Sequence, residues 1–183
     1  FGQAELGYKN FLFLNLSARN DWSSTLPKDA NSFFYGGANV STVLTELFPG
    51  LKENHVDFLK VRPAVGQTGN DADVYKTSAW FITVKNGTTG YTDLPLNGVS
   101  GLTEMNTLPS TTLKPEMTTE YEFGTSINLF NNRVSLDFAY YNKLTTDQII
   151  SATLAPESGY TSETRNVGKL QNQGVELMAN VTP

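Results

Sequence analysis

The chain has 183 residues, 39% of them hydrophobic, with a mean hydropathy of -0.29 and a formal charge of -5; that is enough for one sizeable core and forces no second domain. No run approaches the roughly 20 apolar residues of a spanning helix, which excludes a helical membrane protein but not a transmembrane β-barrel, whose half-polar strands resemble soluble composition. Eighteen acidic residues against 13 basic ones, with no basic cluster for phosphates, argue against nucleic acid, and the absence of cysteine removes disulfides, thiolate catalysis and thiolate-bound zinc.

The first patterned stretch is Phe11 to Asp21, FLFLNLSARND, where Leu12, Leu14, Leu16 and Ala18 alternate with Phe13, Asn15, Ser17 and Arg19. A helix gathers apolar residues three and four apart, whereas strict alternation puts one set on each face of a β-strand. The apolar face must meet either a protein core or lipid. With Lys9, Asn10 and Phe11 as a three-residue loop, the preceding residues fold back as a hairpin. Tyr8 then opposes Leu12, Leu6 opposes Leu14 and Ala4 opposes Leu16, with Glu5 opposite Asn15 and Gln3 opposite Ser17 behind them. Further strands are expected at Gly37 to Leu47 and at Phe58 to Thr68, where Leu59, Val61 and Val65 alternate with Lys60, Arg62 and Ala64. Pro63 lacks the N–H that a central ladder uses, so a bulge or a missing ladder bond is expected there.

Asn131 and Asn132 separate two alternating runs, Thr118 to Phe130 and Arg133 to Thr145, and asparagine tolerates the positive φ of tight hairpin turns. A two-residue turn pairs Phe130 with Arg133 and fixes each step outward. One face then carries Leu129 with Val134, Ile127 with Leu136, Thr125 with Phe138 and Phe123 with Tyr140. The other carries Asn128 with Ser135, Ser126 with Asp137, Gly124 with Ala139, Glu122 with Tyr141 and Glu120 with Lys143. A last strand is expected at Asn172 to Thr182, with Val175, Leu177, Ala179 and Val181 opposed to Glu176, Met178 and Asn180.

These make about seven strands, most of roughly 9 to 13 residues, a length that crosses a bilayer at a tilt and exceeds the usual globular strand. The connections alternate in length. They are tight at Lys9 to Phe11, long from Trp22 to Gly36, shorter around Pro49 to Val56, very long from Gly69 to Glu116, tight at Asn131 and long from Gln148 to Gln171. Short turns on one rim and long loops on the other are the pattern of an outer-membrane barrel.

Four stretches resemble the SusC/RagA family of TonB-dependent outer-membrane transporters. ARNDWSS is similar to the family's Arg, any residue, Asp, small residue, Ser-Ser segment at the outer end of a strand. DFLKVRPAVGQTGN is similar to its Leu-Lys-x-Arg strand running into Gly-x-Thr-Gly-Asn. EMTTEYEFGTSINLFNNRVSLDFAYYNKLTTDQI resembles its long hairpin, with Glu116, Gly124, Arg133, Tyr140, Tyr141, Thr145 and Asp147 in matching places, and NVGKLQNQGVEL resembles its Asn-x-Gly, Asn-x-Gly-x-Glu segment. Pro63 and Pro115 depart from the family pattern. The resemblance implies an all-β fold, a segment of a large antiparallel transmembrane β-barrel in the bacterial outer membrane. It further implies a plug in the lumen, energy supplied through TonB, and a SusD-like lipoprotein lid that delivers oligosaccharides or peptides. About seven strands cannot close a wide barrel without leaving unpaired edges, so residues 1–183 are expected to be part of a single barrel domain, with the plug and the TonB-binding segment outside this chain.

No catalytic, metal or cofactor site is expected. His55 is the only histidine and is read as part of a periplasmic-side turn. Glu120 and Glu122 share a strand face, and Lys143 opposite Glu120 makes an interior, lumen-facing charge pair a better reading than acid–base chemistry. Asp71 and Asp73 alternate but lack the glycine and distal glutamate of a calcium loop. Trp22, Phe34, Tyr35, Tyr75, Trp80, Tyr91 and Tyr160, with Phe33 and Phe81 beside them, are placed in or beside the long loops. As a set they are candidate contacts for cargo or lid, since an aromatic ring buries apolar area while keeping a polar tip wet. Leu12, Leu14, Leu16, Ile127, Leu129, Leu136 and Phe138 are expected to face membrane lipid. The rival is a soluble β-sandwich, a carbohydrate-binding or adhesin module, which would pack two apolar faces together; a third reading is a TonB-dependent iron-chelate or vitamin transporter without a lid.

Overall fold

The computed structural model describes residues 1–84 and 99–182. Among these described residues twelve strands run in chain order: β1 Gly2–Tyr8, β2 Leu12–Trp22, β3 Ser32–Val43, β4 Val56–Asn70, β5 Phe81–Val84, β6 Gly101–Glu104, β7 Thr107–Leu108, β8 Glu116–Leu129, β9 Val134–Thr146, β10 Ile149–Thr153, β11 Ser162–Asn166 and β12 Lys169–Val181. Seven of them form one antiparallel sheet in the order β1-β2-β3-β4-β8-β9-β12, so neighbours in sequence are neighbours in space once the short loop strands are set aside. Those short strands make two small sheets, β10-β11-β7 and β5-β6. They lie inside what the sequence reads as the two longest loops.

The first hairpin has the expected register, with Tyr8 opposite Leu12, Leu6 opposite Leu14 and Ala4 opposite Leu16. Lys9 and Asn10 carry the positive φ of its turn, closed by the Phe11 N–H donating to the Tyr8 carbonyl at 3.2 Å. The second hairpin keeps the expected register outward from Leu129 and Val134. Its turn is longer than two residues. Phe130 joins Asn131 and Asn132 at positive φ, and its N–H donates to the His55 carbonyl instead of extending the ladder. Asp57 explains the brace: it is the extra residue of a bulge between Val56 and Phe58, and its carboxylate accepts the Asn132 N–H at 2.9 Å. At Pro63 there is no bulge. Pairing between β3 and β4 stops after Asn39 with Ala64 and resumes in the same register at Thr42 with Val61, which is the missing ladder contact a proline imposes.

The third strand corrects the sequence expectation. It starts at Ser32 rather than Gly37, because Trp22 to Ala18 continue to pair with Ser32 to Gly36. It ends at Val43, where the chain enters a helical turn, α1 Leu44–Leu47, and a 3-10 segment over Pro49–Asn54. The Leu59 N–H donates to the buried Thr45 hydroxyl at 3.4 Å, tying this connection to β4.

Alternation along these ladders sorts the side chains. One face carries Leu6, Leu14, Val40, Pro63, Phe123, Tyr140 and Val175 in a single row across the sheet. The other carries, one residue away, Asn15, Asn39, Ala64, Glu122, Tyr141 and Gly174. Among the described residues none of the buried apolar side chains belongs to this sheet; Leu26, Ala72, Val84 and Leu113 all lie outside it. A sandwich needs a second sheet over the apolar face, and among the described residues no sheet packs on it. The sandwich reading therefore falls.

The strand ends are staggered. Leu12, at the first turn, stands level with Thr42, Val61, Thr125 and Phe138, and Phe138 is four residues from Val134 at the second turn. The two turns are four strand steps apart, so the step is one residue per strand. With about 3.3 Å per residue and about 4.8 Å between strands, setting both turns on one rim tilts the strands by roughly 35°, the tilt of closed barrels.

Directly opposed residues of an antiparallel pair lie within disulfide reach, whereas a two-residue offset does not. The double variant Ile127→Cys, Leu136→Cys is therefore expected to cross-link on mild oxidation, and Ile127→Cys, Phe138→Cys is not. A gel-shift assay checks both, and cross-linking of the offset pair alone would refute the register.

Candidate functional site

Two regions carry the chemistry: the polar face of the sheet and the loops at the end remote from the tight turns. On the polar face a hollow of about 660 Å³ is lined by Gln3, Glu5, Asn15, Asn39, Glu120 and Glu122, among others. Gly37, Ala64 and Gly66 are among its lining residues, so at these three positions nothing larger than a methyl group stands over the sheet backbone. Glu120 and Lys143 are register partners and both line this hollow, but they form no direct ion pair; the pairs among the described residues are Arg19 with Asp21 at 2.6 Å and Lys52 with Glu46 at 2.7 Å. A second hollow of about 420 Å³ adjoins it, lined by Arg62, Tyr141 and Glu176 as well as by Glu120, Glu122 and Lys143. Two glycines shape this second hollow. A Cβ on Gly124 would stand 2.2 Å from Arg62 Nε, and one on Gly174 would stand 2.7 Å from the Tyr141 hydroxyl, so both long side chains lie flat across neighbouring strands. Glycine inside a strand is a mark of close approach, and Gly124 and Gly174 are the residues in the sequence that carry that signal for Arg62 and Tyr141.

At the loop end the sheet is stapled to its loops. Leu26, Ala72 and Leu113 form a small buried core with Phe33 and Ile149 packed against it. Gly69 makes room for Phe33, whose ring a Cβ there would meet at 2.5 Å. Polar staples surround that core. The hydroxyls of Ser23 and Thr25 donate to Asp71 Oδ2, the latter at 3.2 Å. Glu116 accepts the Ile149 N–H at 2.6 Å and the Asn70 amide at 3.2 Å. The Asn166 amide donates to the carbonyls of Lys114 at 2.8 Å and Asp147 at 2.6 Å, while its oxygen accepts the Lys114 N–H. Asp71 is thus committed to two hydroxyls, and Asp71 and Asp73 are in no potential metal cluster among the described residues.

The aromatic residues divide. Trp22, Phe34 and Tyr35 are strand residues, not loop residues, because β2 and β3 run further than expected. Trp22 and Phe34 are on the apolar-face parity and are 73% and 66% exposed. Tyr35 is on the opposite parity and donates to Asp21 at 2.6 Å. Tyr75 and Trp80 are loop residues whose rings meet at 5.2 Å. Tyr160 donates to Glu104 at 3.0 Å, bridging the loop after β10 to β6, and this bond holds its phenol above the usual tyrosine range. Tyr91 lies outside the described residues. His55, at positive φ, sets its ring against that of Phe130 at the tight-turn end, with the centroids 5.8 Å apart and the planes tilted by 30°. The seven leucine, isoleucine and phenylalanine positions expected on one face, Leu12, Leu14, Leu16, Ile127, Leu129, Leu136 and Phe138, do share the apolar-face parity.

A family model described as TonB dependent receptor-like, beta-barrel, matches residues 1–182. The chain belongs to this family. As part of a TonB-dependent receptor barrel it is outer-membrane wall and not an enzyme. TonB-dependent receptors P26 and P3 of Formosa agariphila are each 32% identical to it, over 100% and 98% of this chain. The chain spans only 18% and 17% of the length of these relatives. The RagAB peptide transporter superposes with a TM-score of 0.80 at 25% identity, over 97% of this chain and 19% of that one. The siderophore receptor PirA from Pseudomonas aeruginosa shares the fold at 12% identity, with a TM-score of 0.62 over 96% of this chain and 29% of that one.

Two outcomes follow from the loop staples of this receptor wall. Replacing Asp71 with Ala removes two charge-assisted hydrogen bonds, and amide exchange over residues 23–31 is expected to rise roughly fivefold, the equivalent of about 1 kcal/mol; hydrogen–deuterium exchange measures it. The Tyr160 contact should hold at neutral pH and up to about 10, then weaken as pH rises through the raised phenol pKa. Glu104→Ala is expected to bring that titration down, as read by phenolate absorbance against a Tyr160→Phe control.

Proposed function

We propose that the chain is part of the barrel wall of a SusC-type nutrient importer. It takes up oligosaccharides or peptides with a SusD-like surface lipoprotein, and energy reaches a plug in the lumen through TonB, by segments outside this chain. The observation that carries this reading is the sorting of the sheet into one apolar and one polar face at a barrel's tilt, together with a likeness to RagAB that exceeds the likeness to PirA. Leu12, Leu14, Leu16, Ile127, Leu129, Leu136 and Phe138 face lipid. From Tyr121 to Leu129 the outward positions of β8 span about 26 Å of strand, roughly 22 Å of height at that tilt, close to the apolar band of outer-membrane barrels. Above it the outward positions turn polar, with the Gln67 amide donating to the Thr119 hydroxyl and the Gln171 amide to Asn142. Trp22 and Phe34 sit at this upper margin as an aromatic collar. Glu120 and Lys143 face the lumen, Tyr35 stands near its mouth, and Tyr75, Trp80 and Tyr160 remain the residues for cargo or lid.

The chain has no cysteine, so a single cysteine introduced into it is unique within these residues. In the full receptor in vesicles, a dye on Leu14→Cys or Leu136→Cys is expected to be quenched from within the bilayer, and one on Asn15→Cys or Ser126→Cys from water. The reverse pattern overturns the face assignment. Purification from native outer membranes is expected to bring down a surface lipoprotein; a receptor that comes alone and binds an iron chelate would replace the SusC reading with the third one.

A further inference from the structure

Arg62 is a cation that its own wall leaves unused. Its stem crosses Gly124, its Nε is buried with no hydrogen-bond partner, and no carboxylate among the described residues lies within ion-pair distance. Burying one edge of a guanidinium without a partner is costly, and Gly124 is the residue that permits it. With Nε pressed against β8, the two terminal nitrogens are the edge left to a ligand, and they match the two oxygens of a carboxylate.

The neighbourhood narrows the ligand. Arg62 and Lys143 share the 420 Å³ hollow with Glu120, Glu122 and Glu176, so its balance is negative. A free dianion such as phosphate or sulfate meets more repulsion than attraction there. A single carboxylate on a chain that also offers N–H donors to the three glutamates meets neither problem. Depth narrows it further. Arg62 lies eight residues below Asn70, the outer end of β4, about 26 Å along the strand. A group that reaches it is well inside the wall rather than at the mouth.

We propose that Arg62 is the docking point for an aspartate or glutamate carried by a polypeptide segment resident in the lumen. This rests on the reading that the polar face lines a lumen, which the cysteine-labelling experiment tests separately. The new experiment uses the full receptor in vesicles, with Arg62→Gln, Arg62→Lys and Gly124→Ala. Amide exchange is followed over the segments outside this chain, and cargo affinity is measured in parallel. Arg62→Gln is expected to speed exchange in one such segment roughly tenfold, the scale of one charge-assisted hydrogen bond, with cargo affinity unchanged. Arg62→Lys, which keeps the charge but loses the fork, should fall between, and Gly124→Ala, which displaces the side chain, should resemble Arg62→Gln. A loss of cargo affinity with exchange unchanged would mean that the carboxylate is the cargo's, and would overturn the assignment to a resident segment. No change in either would overturn the site altogether, while correct face labelling in the same samples would leave the lumen reading standing.

Discussion

Hydrocarbon offers no partner to a backbone N–H or C=O, so a chain that crosses it in strands must pair every one of those groups with a neighbour. That requirement accounts for most of what is seen here. It demands long strands in unbroken antiparallel order, and the sheet supplies them from β1 through β12. It tolerates a proline only where one ladder contact can be spared, as beside Pro63. It leaves the two faces free to be chosen by their solvents alone, and the side chains alternate accordingly. Among the described residues the buried apolar cluster lies in the loops, around Leu113.

Much of this was legible because alternation is local information. Both hairpin registers could be read from which pairing keeps leucine with leucine and glutamate with asparagine, since a one-residue slip exchanges the faces. What was missed was set by contacts distant in sequence. The aromatic run Phe33 to Tyr35 suits a strand as well as a loop; it is strand because Trp22 to Arg19 are there to pair with Ser32 to Tyr35. Phe130 abandons the strand for positive φ because the bulge at Asp57, some 70 residues earlier in the chain, brings a carboxylate and the His55 carbonyl to the turn.

The polar residues behaved differently from the apolar ones. Glu120 and Lys143 fall opposite each other as the register demands, yet form no ion pair, because a register fixes backbone positions and leaves the ends of long side chains free to point elsewhere. The resemblance to SusC/RagA proteins had flagged Glu116 and the segments holding Ser23, Asn70 and Asn166 without saying why they recur. In the fold they converge. Ser23, Asn70, Glu116 and Asn166 all bond at the junction where the sheet gives way to its loops. Residues far apart in the sequence thus serve one purpose, holding the loops at a fixed angle to the wall.

The stagger of one residue per strand has a consequence for size. At a tilt of roughly 35° each strand occupies about 5.9 Å of perimeter rather than the 4.8 Å of its bare spacing, so the seven strands here make an arc of about 40 Å. Perimeter and stagger are one quantity in a closed sheet. A two-residue insertion that slipped the β8–β9 hairpin would therefore not stay a local defect: the circle could close again only with a different circumference, and everything fitted to the lumen would meet a wall of another radius.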